Sequence, residues 1–119
     1  MARCRRRANG MGMRRGDLAT VDLPGNYGKP RPALILQSDL FDSHPSVTIL
    51  PVTGDLREAP LFRINIHPND ENGLRKASRV MVDKAQSIPR AKIGETFRRL
   101  GGSELLEVNR ALAVFLGFA

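Results

Sequence analysis

Five short apolar segments follow one another between residues 17 and 85, and turn residues separate each segment from the next. They cover residues 17–23, 31–37, 47–53, 61–66 and 78–85. In the first segment Ala19, Val21 and Leu23 share one face, which is the period-two pattern of a strand with one buried side. Because the intervals are too short for helices between parallel strands, the pattern predicts a small barrel or sandwich.

The C-terminal residues 101–118 follow a different period. Apolar side chains recur there at helical spacing, at Leu105, Val108, Leu112 and Phe115. The sequence predicts a helix with Ser103 as its N-cap and Gly117 as its stop, packed on the sheet through the apolar stripe. The predicted fold is therefore mainly β (α+β): a small, strongly curved β-barrel with a C-terminal α-helix.

The positive charge of the chain is concentrated at its N-terminus. The 119 residues carry a net charge of +7, yet residues 1–15 hold six arginines and no acid. The rest of the chain holds 13 basic and 12 acidic residues, which leaves a net charge of +1. We therefore expect a basic flexible arm, residues 1–13, and a single domain, residues 14–119.

Two interpretations of the arm stay open. It is either a solvated extension, including sequence upstream of a start at Met11 or Met13, or a segment that binds nucleic acid or an acidic partner.

The sequence lacks the signatures of several protein classes. No apolar run approaches the roughly 20 residues that span a bilayer, and no apolar stretch follows the N-terminal arginines as in a secretory signal. Cys4 is the single cysteine, so no intramolecular disulfide or metal-ligand spacing exists. No GxSxG, HExxH or Walker motif occurs. We expect a cytoplasmic protein without a cofactor, a metal site or a membrane partner.

Arg31 lies between Pro30 and Pro32, where a glycine-rich turn meets the second apolar segment. The two prolines stiffen the backbone on both sides of it. A guanidinium group always carries charge and offers a planar fork of donors that suits phosphate. On chemistry alone two interpretations stay open: Arg31 stabilises charge on a phosphate in a transition state, or it forms a weak surface ion pair with Asp22 or Asp39.

Few other side chains offer catalytic chemistry. Thr53 closes the third segment, where its hydroxyl either binds the same phosphate or simply ends a strand. His44 and His67 are the only histidines, and both precede proline in loops. Each is a general-base candidate or an ordinary polar loop residue.

Five stretches of the chain, taken in order, resemble the MazF/PemK/Kid family of bacterial toxins. They are "RRGDLATVDL", "RPALIL", "TILPVT", "VMVDKAQSI" and "LGGSELLEVNRALAVFLG", and they span residues 14–118. The resemblance implies an SH3-like barrel, a homodimer, and ribosome-independent, sequence-selective cleavage of single-stranded mRNA. It also implies a small cognate antitoxin whose disordered acidic tail binds across the active site.

The resemblance further implies roles for individual residues. Arg31 matches the main catalytic residue of the family, and Thr53 matches the Ser or Thr that is its catalytic partner. Asp83 matches the acid of a frequent acid–glutamine pair, in which this chain has Lys84 instead of glutamine. The residues implied to contact RNA are Asn26, Tyr27, Lys29, Asp83, Lys84 and Gln86.

The implied mechanism suits a chain with so few catalytic groups, because RNA carries its own nucleophile, the 2′-hydroxyl. Arg31 would stabilise the charge that develops on the phosphate, Thr53 would orient a phosphate oxygen, and the products would carry a cyclic or 3′ phosphate and a 5′ hydroxyl. Tyr27 and Phe41 are candidates for stacking on bases.

Two alternatives stay open. One is a CcdB-like protein that poisons DNA gyrase through the helix end "VFLGFA". The other is a non-catalytic nucleic-acid-binding barrel whose arm supplies the affinity.

Overall fold

The computed structural model describes residues 13–23, 29–54 and 62–119, and these form seven strands and one α-helix. In chain order the elements are β1 (Asp17–Val21), β2 (Arg31–Ile35), β3 (Ser46–Thr53), β4 (Arg63–Ile66), β5 (Ser78–Met81), β6 (Gln86–Pro89), β7 (Ile93–Arg99) and α1 (Gly102–Leu116). Each of the five predicted strand segments therefore contains a strand.

The strands pair antiparallel in the order β4-β5-β3-β2-β1-β7, and β6 pairs with β3 off this path. β3 is the central strand: residues 46–49 pair with β6, residues 49–51 with β2, and residues 52–53 with β5. Among the described residues the outer strands β4 and β7 do not pair, so the sheet is barrel-like but open. The predicted mainly β fold with a C-terminal helix is confirmed in this form.

The strands β6 and β7 lie in a stretch for which the sequence predicts none. β7 pairs with β1 from Asp17↔Arg99 to Val21↔Ile93, with register shifts on the way, and its side chains are exposed or only half-buried. Such an edge strand shows no period-two pattern. The predicted strand over 78–85 is too long, because β5 ends at Met81 and a 3-10 turn follows it.

Two apolar cores lie on opposite faces of the sheet. The first core also receives α1 and consists of Leu18, Leu34, Leu50, Val52, Ile66, Val80, Val82, Leu100 and Val108. The second core consists of Ala19, Val21, Ala33, Ile35, Val47, Ile49 and Ile88. Because successive strand residues point to opposite faces, β1, β2 and β3 contribute to both cores. Because β2 and β3 are buried on both faces, the second and third segments are almost continuously apolar and do not alternate with polar residues.

The helix α1 packs through the predicted stripe. Val108 is fully buried, and Leu105 and Leu112 pack against the first core. Phe115 stays 43% exposed but meets the ring of Phe62 edge-on, with the ring centroids 5.1 Å apart. These contacts anchor the helix next to β4.

The two ends of α1 differ in how well the sequence predicts them. Ser103 is not the N-cap: Gly101 takes that position, without a side-chain cap, and the Leu105 N–H already donates to the Gly101 carbonyl at 2.9 Å. Gly117 ends the helix as predicted, with φ at 86°, the left-handed conformation that glycine adopts without strain. Within the described residues, no helix has the length and apolar character needed to cross a membrane.

Candidate active site

The ladder between β2 and β3 stops at a proline. The Leu36 N–H donates to the Thr48 carbonyl at 3.0 Å, and in an antiparallel pair such hydrogen-bonded positions recur at every second residue. If the same pairing continued along the strands, Pro32 and Val52 would face each other at a hydrogen-bonded position. Proline has no N–H, so Pro32 cannot donate the hydrogen bond that this position requires. The observed pairing ends one residue earlier, and β3 takes β5 as its neighbour through Val52 and Thr53. The strands β2 and β3 separate at this point.

Arg31 and Thr53 face the gap that this separation leaves. Extending the β2–β3 register beyond the Ala33–Pro51 pair places them opposite each other, because Arg31 is two residues before Ala33 and Thr53 is two residues after Pro51. On its other side Arg31 is held by β1, where it pairs with Val21. Arg31 and Thr53 line the same cavity, which has a volume of about 750 Å³. The structure thus brings together the two side chains that the family resemblance marks as catalytic.

Arg31 does not form the surface ion pair that the sequence left open. Asp22 lies 3.7 Å from the Lys92 ammonium, and Asp39 accepts a hydrogen bond from the Arg15 N–H at 2.8 Å. Arg31 is exposed, and within the described parts of the chain its side chain has neither an ion pair nor a hydrogen bond. Its guanidinium is therefore available to an anion in the cavity.

The described lining of the cavity is cationic. Arg31, Arg75 and Lys76 contribute positive charge, and none of the described lining residues is acidic. All three cations are exposed. A concave surface with one sign of charge raises the local concentration of oppositely charged ligands. The cavity therefore suits a polyanion.

Arg75 and Lys76 follow a loop that a buried asparagine organises. The Asn72 side chain is fully buried. Its Oδ1 accepts hydrogen bonds from the N–H groups of Asn69 at 3.1 Å and Leu74 at 3.0 Å, and its Nδ2 donates to the His67 carbonyl at 2.9 Å. This network fixes the backbone of the loop up to the residue before the two cations.

Replacing Asn72 with alanine is expected to lower the free energy of unfolding by about 2 kcal/mol, because the three part-buried hydrogen bonds of this buried side chain to the backbone are lost. Urea denaturation followed by circular dichroism measures the change. The control is Asn65→Ala, which removes an exposed hydrogen bond to Arg79 and should cost less than about 0.5 kcal/mol. Equal losses in the two variants would show that the Asn72 network is not what holds the loop.

The other predicted RNA contacts lie outside the cavity lining or outside the described residues. Lys29, Asp83, Lys84 and Gln86 are described, and none of them lines the cavity. The Asp83 carboxylate accepts a hydrogen bond from Arg63 Nε at 3.0 Å, while Lys29 and Lys84 are exposed. Asn26 and Tyr27 lie outside the described residues.

Neither histidine reaches the cavity. The Nδ1 of His44 lies 3.1 Å from the Ser46 nitrogen, which donates to it, and His67 contributes its carbonyl to the Asn72 network. Phe41 is 56% exposed and also lies outside the lining. In the described parts of the chain, no group of three or more His, Cys, Asp or Glu side chains is placed to hold a metal ion.

Sequence reasoning missed Arg75 and Lys76, which lie in a stretch interpreted only as loop. The only local sign of their role is that two adjacent cations lie shortly before β5. Such pairs are common on protein surfaces, so this sign is weak. Their place at the cavity depends on the course of the loop and on its approach to the end of β3.

Comparison with known proteins agrees with this architecture. A family model described as "PemK-like, MazF-like toxin of type II toxin-antitoxin system" matches residues 14–116. The chain is 45% identical over 108 residues to the "Probable endoribonuclease MazF" of Mycolicibacterium smegmatis, covering 90% of this chain and 99% of that protein.

Solved structures show the same fold. The "Mycobacterium tuberculosis toxin MazF-mt6" superimposes with a TM-score of 0.72 at 25% identity, covering 85% of this chain and 96% of that one. An "Endoribonuclease in complex with its cognate antitoxin from Mycobacterial species" superimposes with a TM-score of 0.69 at 21% identity, covering 88% and 93%. The chain belongs to the PemK-like, MazF-like toxins of type II toxin–antitoxin systems.

Proposed function

We propose that this chain is an endoribonuclease toxin that cleaves single-stranded mRNA at selected sequences, without the ribosome and without a metal ion. One observation carries the proposal: Arg31 and Thr53 line a single cationic cavity that has no acidic residue in its described lining. The similarity to a protein named as a probable endoribonuclease supports the same activity.

The mechanism follows from what these two side chains supply. The 2′-oxygen of the RNA attacks the adjacent phosphorus as it loses its proton, the bond from phosphorus to the 5′-oxygen of the next nucleotide breaks, and that oxygen takes up a proton, which leaves a 2′,3′-cyclic phosphate and a 5′-hydroxyl. Arg31 stabilises the negative charge that builds on the phosphate oxygens, and it acts as a charge and not as a base, because guanidinium stays protonated in proteins. The Thr53 hydroxyl orients a phosphate oxygen so that attack is in line.

The charge of the cavity also suits the proposed partners. RNA brings one negative charge per phosphate, and the acidic tail of a cognate antitoxin would compete for the same cations. The structural relative that is in complex with its cognate antitoxin supports such a partner. We further propose that the chain acts as a homodimer in the cytoplasm, where mRNA is available. Asn26, Tyr27, Lys29, Asp83, Lys84 and Gln86 stay proposed contacts to RNA.

Incubation of the purified protein with a long single-stranded RNA in excess EDTA tests the activity. We expect cuts at a limited set of positions, with fragments whose 5′ ends are hydroxyl groups and accept a label from polynucleotide kinase directly. Two substrates serve as controls and should stay intact: the same RNA annealed to its complement, and DNA of the same sequence, which lacks the 2′-hydroxyl.

Three results would contradict the proposal: a strict requirement for a divalent cation, 5′-phosphate ends, or cleavage of the DNA. A supercoiling assay with DNA gyrase tests the alternative that the protein poisons gyrase, since inhibition of supercoiling would support it. The family match disfavours this alternative. Intact RNA that is nevertheless bound tightly would instead support the non-catalytic binding barrel.

A further inference from the structure

We propose that Arg75 and Lys76 bind the backbone phosphate next to the one that is cleaved. This inference rests on the proposed function, since it assigns a second subsite to the same cavity. It makes Arg75 and Lys76 substrate-binding residues, whereas Arg31 and Thr53 act on the reacting phosphate.

Lys76 lies against the end of β3. A Cβ added at Gly54 would come within 2.6 Å of Lys76 Cε and 2.9 Å of Lys76 Nζ. The ammonium group therefore lies over the backbone directly after Thr53, in space that exists because residue 54 has no side chain.

Among the described residues, the positive charges of Arg75 and Lys76 have no acidic partner. Within the described residues neither Arg75 nor Lys76 forms an ion pair, although other cations of the chain do, such as Arg63 with Asp83 and Lys92 with Asp22. Side chains that carry charge without a partner into a shared concavity are suited to an anionic ligand. Arg75 adds a fork of donors that matches phosphate geometry.

The size of the cavity leaves room for more than one phosphate. Its volume of about 750 Å³ lies inside the range of roughly 300–1,000 Å³ that is typical of pockets for whole small-molecule ligands. Arg31 and Thr53 lie opposite each other across the gap, whereas Arg75 and Lys76 enter from the loop before β5. Two pairs of side chains from different elements therefore line one cavity, and we assign them to two successive phosphates of one strand.

Steady-state cleavage of a single-stranded RNA at increasing KCl concentration, with the full-length protein, tests the subsite. Lys76→Ala is expected to raise KM by about tenfold, because a hydrogen bond to a charged group contributes roughly that factor, while kcat stays within about twofold. The slope of log(kcat/KM) against log[KCl] should become shallower by about 0.7, the value for one phosphate contact on a single strand. Arg75→Ala should act in the same direction.

Three further variants test whether the charge and the position of Lys76 cause the effect. Lys76→Arg keeps the charge and should restore most of the slope. Gly54→Ala keeps the charge and places a methyl group where Lys76 Cε and Nζ lie; because the end of the lysine is flexible and moves aside, KM should rise less than in Lys76→Ala. Lys92→Ala is the matched control: this exposed lysine lies outside the cavity lining, and its removal should leave KM and slope unchanged.

Failure of the inference is distinguishable from failure of the proposed function. If the wild-type protein cleaves RNA and Lys76→Ala has the wild-type KM and salt slope, the second subsite does not exist. If Lys76→Ala lowers kcat at constant KM, Lys76 acts on the reacting phosphate and the assignment is wrong. If the wild-type protein does not cleave RNA at all, the proposed function itself fails.

Discussion

Replacing Arg31 with alanine is expected to abolish RNA cleavage and leave the protein folded. Loss of one donor that stabilises transition-state charge lowers kcat by about 10²–10³-fold, and no histidine in the described cavity lining replaces that charge. Arg31→Lys keeps the charge but loses the planar fork, so it should recover only part of the rate. Single-turnover cleavage of a labelled RNA measures all three proteins.

The fold should tolerate these changes, because within the described residues the Arg31 side chain is exposed and has no partner. Thermal unfolding of Arg31→Ala should therefore match the wild-type protein. Arg110→Ala is the matched control, since this arginine is exposed on α1 and lies outside the cavity lining. An Arg31→Ala protein that cleaves RNA at the wild-type rate would remove the basis of the proposed mechanism.

Replacing Arg99 with alanine is expected to have the largest effect on stability, about 2–3 kcal/mol in the free energy of unfolding. Asp17 is fully buried on β1, and its Oδ1 accepts a hydrogen bond from Arg99 Nη1 at 2.8 Å. Arg99 also donates to the Arg15 carbonyl at 3.3 Å. Without the guanidinium, the buried carboxylate loses its ion pair with Arg99 and β7 loses a link to β1, although Asp17 keeps its hydrogen bond from the Arg14 N–H at 2.9 Å. Urea denaturation at neutral pH measures the loss.

The other end of the same strand pair provides the control. Lys92 and Asp22 also join β7 to the end of β1, but their charged atoms are 3.7 Å apart and both side chains are 54% exposed. Lys92→Ala should therefore cost less than about 0.5 kcal/mol. Similar losses for the two variants would mean that burial of Asp17 does not strengthen its ion pair.

The sequence predicts best those strands whose pattern is imposed by burial. β1, β2 and β3 carry apolar residues because they face two cores, and that requirement is visible in each segment alone. β7 is different, since its pairing with β1 joins residues as far apart as Asp17 and Arg99. Its mixture of polar and apolar residues gives no local sign of a strand, and the pairing partner decides its conformation.

The same distinction applies to the site. Arg31 could be singled out from the sequence because its constraint is local: a proline on each side and a turn before it. Thr53 was a candidate from its hydroxyl alone, but only the family resemblance separated it from an ordinary strand-ending threonine, and its place opposite Arg31 follows from strand register. Lys76 could not be predicted, because its approach to Gly54 depends on how the loop organised by Asn72 returns to the sheet.

The proline that interrupts the β2–β3 ladder has a consequence for how such an enzyme is controlled. Among the described residues, a gap that exists because one backbone donor is missing is present as soon as β2 and β3 have paired, and neither of these strands has to move to open it. For the described side of the cavity, a bound molecule that fills this gap, and not a closed form of β2 and β3, is then what would restrain the site.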